Sequence, residues 1–280
     1  MEPAEETNTP QQAQVAEKNV LTVPVAIIVA GIIIGGAIFL SRTSDKTEIV
    51  DTTPAPQDIG GEIASRTLDE SDHILGNPSA DIVMLEYSDL ECPFCKTFHK
   101  TMHSILDDYG KDGKVAWAYR HFPLSIHPRA AKEAEATECA FDLAGNTGFW
   151  NYVDKIFDVT PANNGLDPAE LPKIAEKIGL DATAFTNCLN SGKYASKVKA
   201  DFDDGLKAGV NGTPHTVLLL KTPINTEQER KLAELNQKFL QQMTPGSSNL
   251  LRIDSTKKKL SINGAFPLVT MREIVNLLLK

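Results

Sequence analysis

The sequence predicts an α/β protein, a sheet built in two halves with a helical segment inserted between them, preceded by one transmembrane helix and a flexible linker. Three observations carry this reading. Short, strongly apolar, β-branched runs stand at 81–89 and 114–122, and strand character returns after residue 209. A long tract of helical periodicity separates the second run from the third. Residues 21–40 read LTVPVAIIVAGIIIGGAIFL without a charge.

An uncharged run of about 20 residues crosses the hydrocarbon core as a helix, so 21–40 is expected to anchor the chain. The rival is a cleaved signal peptide. Against it, the preceding segment 1–20 is long and acidic, and no A-x-A site follows the apolar run. Lys18 on one side is matched by Arg42 and Lys46 on the other, so the positive-inside rule leaves orientation open. Residues 41–67, with TTPAPQDIGGE, hold little that forms a core and read as the linker. The remaining 68–280 suits one domain. A net charge of −9 argues against nucleic acid as a partner.

Within that domain DIVMLEYSD is the pattern of a central strand. CPFC follows at once. FCKTFHKTMHSILDDY places Phe94, Phe98, Met102, Ile105 and Leu106 on one helical face, which puts Cys92 and Cys95 at the amino end of a helix. KVAWAYRHF is the next strand, parallel to the first by the usual crossover. Helical stretches then fill 128–209, opening at Pro128 with a break at Gly145. GVNGTPHTVLLL and KKLSING are expected to pair as strands, and PLVTMREIVNLLLK closes as a helix. Between those strands, 221–256 is longer than a hairpin needs. It carries an apolar stripe of Leu232, Leu235, Phe239, Leu240 and Met243, either packed on its own domain or offered to a partner.

A CxxC pair serves as a metal clamp, a structural bridge or a redox couple. The thiolate is the attacking species, and a helix amino terminus favours an anion, so Cys92 is expected to be an exposed, ionised nucleophile. Cys95, one turn further in, is placed to resolve a mixed disulfide. Pro93 fits the first helical turn, where its missing donor costs nothing. In the metal reading Cys95, His99 and His103 stand four residues apart on one helix face with Cys92 nearby.

Strand, CPFC, helix, strand, helical insertion and then GTP before another strand resemble the thioredoxin fold in its DsbA-like form, over 68–280. The resemblance implies a thiol-disulfide oxidoreductase with Cys92 as exposed nucleophile and Cys95 as buried partner. It implies a cis peptide at Thr213 and Pro214, which with Pro93 and Phe94 would form the substrate-binding surface. It matches Glu86 to a buried acid that moves a proton at the second cysteine, and burial would raise its pKa. Arg120, His121 and His127, in YRHFPLSIHPRA, are expected to be structural or rim residues.

One departure bears on direction: strongly oxidising members have Pro-His between the cysteines, and this chain has Pro93 and Phe94. The reading is an oxidase first, with isomerase, reductase and a non-enzymatic scaffold as alternatives. Cys139 and Cys188, among apolar neighbours, are either a structural disulfide or two buried thiols; the bridged form is expected. With all four cysteines beyond the span, the catalytic part is expected on the extracytoplasmic side of the membrane, periplasmic or extracellular. The resemblance implies thiol-containing exported proteins as substrates and a membrane redox partner for reoxidation. It implies no nucleotide or metal cofactor.

Overall fold

A computed structural model of the chain describes residues 61–241 and 250–280. The expected anchor at 21–40, most of the linker and Met243 lie outside the described residues. Among the described residues, no helix is long and apolar enough to cross a membrane.

The strands are β1 (His73–Leu75), β2 (Ile82–Ser88), β3 (Val115–His121), β4 (His215–Leu220), β5 (Leu251–Ile253) and β6 (Lys259–Asn263). They form one sheet in the order β1-β3-β2-β4-β6-β5. β2 and β3 run parallel, joined by helix α1 (Pro93–Tyr109), because a parallel pair needs a crossover. β4 lies antiparallel to β2. β6 lies antiparallel to β4, the two segments that the sequence led us to expect to pair.

Strand β2, IVMLEYS, is buried on both faces. Side chains alternate along a strand, so Ile82 and Met84 face the cluster holding Phe98, Met102 and Ile105 of α1. Val83, Leu85 and Tyr87 face the other cluster, with Ile63, Phe122 and Val210. The same alternation sends Glu86 and Ser88 to the α1 side. A carboxyl is thereby set in an apolar layer beneath α1.

The insertion consists of α2 (Ala130–Val159), α3 (Glu170–Lys177), α4 (Ala182–Ser191) and α5 (Ala195–Ala208). The break expected at Gly145 is a kink inside α2, where Gly145 has φ 62° and ψ −157°, a conformation open essentially to glycine alone. Cys139 and Cys188 form a disulfide that ties α2 to α4. Asp181 caps α4 by accepting from the Ala184 N–H at 2.7 Å.

The extra segment after β4 builds α6 (Thr226–Leu240), opened by a capping box of Asn225 and Gln228, and then β5 at the sheet edge. Leu232 and Leu235 are buried, and the Phe239 ring lies 4.8 Å from that of Phe266. The described part of the stripe thus packs on its own domain. The chain closes with α7 (Leu268–Leu278).

Packing begins before residue 68. Ile63 is fully buried, and Arg66 reaches Asp72 at 2.9 Å and Asp201 at 3.1 Å. The reason is a buried charge: Arg120 is wholly enclosed and bonds Asp72 at 2.8 Å and Asp204 at 2.7 Å. A desolvated guanidinium needs such partners, and the segment leading into β1 supplies one of them.

Candidate active site

The site sits where β2 hands over to α1. Cys92 is the N-cap of α1, extended at φ −78° and ψ 122°, with Pro93 in the first turn. Its carbonyl accepts from the Lys96 N–H at 3.1 Å, starting the helix. Across from it the Thr213–Pro214 bond is cis, and the Cys92 thiol donates to the Thr213 carbonyl at 3.4 Å. β4 begins immediately afterwards and pairs with β2 through Thr216 opposite Glu86, which carries the cis bond to the dithiol.

The two thiols are unpaired and chemically unequal. A hydrogen bond from the Cys95 thiol, with the N–H groups of Cys95 and Phe94, draws the Cys92 pKa down to about 6 against the opposing effect of burial. Burial pushes the Cys95 thiol well up, and the neighbouring Cys92 and Glu86 add to the rise. Burial lifts the Glu86 carboxyl to about 7, with the polar side chains of Ser88 and Trp117 opposing it. The arrangement therefore holds one ionised sulfur, one protonated sulfur and one acid poised near neutrality.

One expectation is corrected. Cys92 retains only 3% of its surface and is not the exposed thiol expected of it, because the Thr213–Pro214 loop lies against its sulfur. Exposure passes to the neighbouring Phe94, whose side chain stands 66% free. Pro93 is half-buried and Pro214 buried.

Sequence reasoning missed the brace behind the cysteines. Asp89 accepts from the Glu91 N–H and the Leu124 N–H, each at 2.7 Å, and pairs with His127 Nδ1 at 2.9 Å. His127 is thus a buried structural residue; Arg120 is likewise enclosed with its ion-pair partners, and buried His121 Nε2 lies 3.0 Å from the Glu138 carboxyl. Glu91 accepts from the N–H groups of Asn163 and Asn164, in a turn where Ala162, Asn163 and Asn164 all have positive φ. Burial, with the Glu91 carboxylate alongside, pushes Glu133 up to about 10. The only sequence signal for this brace was an acidic residue on either side of Leu90.

A clamp of two cysteines and two histidines does not assemble. His99 and His103 gather with Asp154, and no cysteine belongs to that group. His99 is buried against Trp117 and Phe157.

The sequence model described as thioredoxin fits residues 68–234, more than half of the chain. The chain belongs to the thioredoxin family. Among solved structures, it resembles alpha-DsbA1 of Wolbachia pipientis with 25% identity and a TM-score of 0.55, over 75% of this chain and 92% of that one. DsbA2 of Pseudomonas aeruginosa gives 23% identity and a TM-score of 0.54, over 75% of this chain and 96% of that one. Oxidised BdbD of Bacillus subtilis gives 21% and 0.51, over 65% and 100%. The fold is thus DsbA-like.

Curated relatives carry a different name. A Na(+)/H(+) antiporter NhaA 3 of Salinispora tropica is 33% identical over 146 residues, 52% of this chain and 21% of that protein. An NhaA 1 of Mycolicibacterium vanbaalenii is 30% identical over 192 residues, 68% and 28%. This thioredoxin-family chain spans less than a third of the length of either antiporter.

Proposed function

We propose that the chain is a membrane-anchored thiol-disulfide oxidoreductase that introduces or exchanges disulfides in exported proteins through Cys92 and Cys95. The observation that carries this is the inequality of the two thiols beside a cis-proline loop. The likeness to DsbA and BdbD structures supports it at the level of fold.

In the oxidising direction a substrate thiolate attacks Cys92 Sγ of the Cys92–Cys95 disulfide. The sulfur–sulfur bond breaks, and the electron pair leaves on Cys95. Cys95 has a high pKa and takes up a proton, which Glu86, protonated near neutrality, is placed to supply. A second substrate thiolate then attacks the substrate sulfur of the mixed disulfide. Cys92 leaves as a stabilised thiolate and the substrate disulfide is released. Two electrons have passed to the enzyme, and a membrane redox partner takes them back.

The uncharged run at 21–40 supports a single membrane span, and the Cys139–Cys188 bridge supports an oxidising compartment outside the cytoplasm. Cation transport is not part of the proposal. The test is capture: in a Cys95→Ser chain the Cys92 thiolate still attacks a substrate disulfide, and no Cys95 thiol is present to resolve the resulting mixed disulfide. Thiol-containing exported proteins should accumulate as mixed disulfides with that variant and be absent from a Cys92→Ser, Cys95→Ser chain. Equal recovery from both would remove the proposal.

A further inference from the structure

Away from the dithiol, three side chains of two helices converge on one point. His99 and His103 lie one turn apart on α1, and Asp154 faces them from the second half of α2. Asp154 Oδ1 lies 2.7 Å from His99 Nε2 and 2.8 Å from His103 Nε2, and the two imidazole nitrogens are 3.2 Å apart. Tetrahedral ligands about 2.0–2.1 Å from a small divalent ion stand about 3.3 Å from one another. The histidine nitrogens already have that separation to within a few tenths of an ångström, and the carboxylate oxygen has to withdraw by about 0.5 Å.

The rest of the site fits an ion as well. His99 is held by ring contacts with Trp117 at 5.1 Å and Phe157 at 4.8 Å, so its nitrogen is aimed before any ligand arrives. The side chains of His103 and Asp154 are 37% and 44% exposed, and they line a groove of about 190 Å3 with Lys96, Lys100 and Asp158. The groove leaves room for water or a small ligand in a fourth position. Asp158 and Asp107 bring negative charge towards the histidines. Of the two lysines, Lys96 is drawn to the Thr160 carbonyl, to which it donates at 2.6 Å.

We propose that His99, His103 and Asp154 bind a divalent transition-metal ion of the Zn2+ class, clasping the catalytic helix to the helical insertion. Two imidazoles and one carboxylate suit Zn2+, Ni2+ or Cu2+, whereas Ca2+ and Mg2+ take oxygen ligands alone. The site uses neither cysteine and stands independently of the redox proposal.

The test uses the untagged full-length chain with Cys92 and Cys95 oxidised to their disulfide, so that no thiolate competes. Calorimetric titration with Zn2+ should show one ion bound per chain, and the ion should raise the unfolding temperature. Cu2+ should quench tryptophan emission, since Trp117 lies 5.1 Å and 5.4 Å from the two imidazole rings. His103→Ala and Asp154→Asn change half-exposed positions and should keep the circular dichroism of the parent. Each should bind Zn2+ at least about tenfold more weakly and lose the thermal shift. No saturable binding by the parent chain, or parent-like affinity in both variants, would overturn the proposal and leave a hydrogen-bonded cluster of histidines and an aspartate.

Discussion

At the scale of single residues, the chemistry rests on where each proton resides. Cys92 owes its low pKa first to the Cys95 thiol, so Cys92 alkylation by iodoacetamide should titrate with a midpoint near 6, and Cys95→Ala should move that midpoint upward. A midpoint unchanged by Cys95→Ala would locate the stabilisation elsewhere. For Glu86 the sign follows from burial. Its folded pKa of about 7 lies above the ordinary 4.5, so the folded state holds the extra proton and stability is lost as pH rises through that window. The loss is on the order of 3 kcal/mol. Glu86→Gln should flatten it in urea unfolding series at about pH 5 and pH 8, and should slow the step that protonates Cys95. Glu86 was reached through the family resemblance, which matches a buried acid to the strand six residues before Cys92. The brace of Asp89, His127, Glu91 and Glu133 was not, since its partners lie up to 73 residues apart and follow no period.

At the scale of elements, the helix that presents the cysteines was readable from its apolar face and from Pro93, and the strands on either side from their β-branched runs. Two edge strands escaped notice. β1 and β5 are three residues each, too short for a period to show, and their pairing is fixed by neighbours distant in sequence. The insertion is held by its disulfide. Closing a loop of 49 residues is worth about 4 kcal/mol in the chain-entropy model, so a chain with Cys139→Ala and Cys188→Ala should lose about 2–4 kcal/mol in denaturant titration while Cys92 keeps its alkylation profile. Gly145→Ala should cost about 1–3 kcal/mol, since the kink in α2 demands a conformation that a side chain opposes. A neutral substitution would mean that the helix straightens without loss.

At the scale of the whole molecule, one buried charge joins parts that the sequence left separate. Arg120 of β3 holds Asp72 ahead of β2 and Asp204 of α5, and Tyr87 donates to the same Asp204 at 2.5 Å. Removing the guanidinium takes away the charged side-chain partner of buried Asp204 and leaves buried Asp72 with Arg66 alone, so Arg120→Ala should destabilise by about 3–5 kcal/mol in thermal or denaturant unfolding. The parallel pair of β2 and β3 and the inserted helices were within reach of the sequence, and the cis peptide through the family resemblance; the network that draws the segment from Ile63 to Asp72 into the fold was not. It consists of long-range pairs, and composition carries no trace of pairing.

The central claim is that Cys92 and Cys95 form a reversible redox couple whose thiolate is stabilised enough to oxidise substrates. It is tested most directly by equilibrating the full-length chain in graded glutathione buffers, alkylating, and reading all four cysteines by mass spectrometry. A Cys92 pKa of about 6 falls between the values near 7 and near 3.5 of thioredoxin and DsbA. The couple should therefore titrate between about −270 and −120 mV. Cys139 and Cys188 should stay protected from alkylation across the same range. A couple at or below the thioredoxin value would reverse the direction to reduction, and no reversible couple at all would contradict the account.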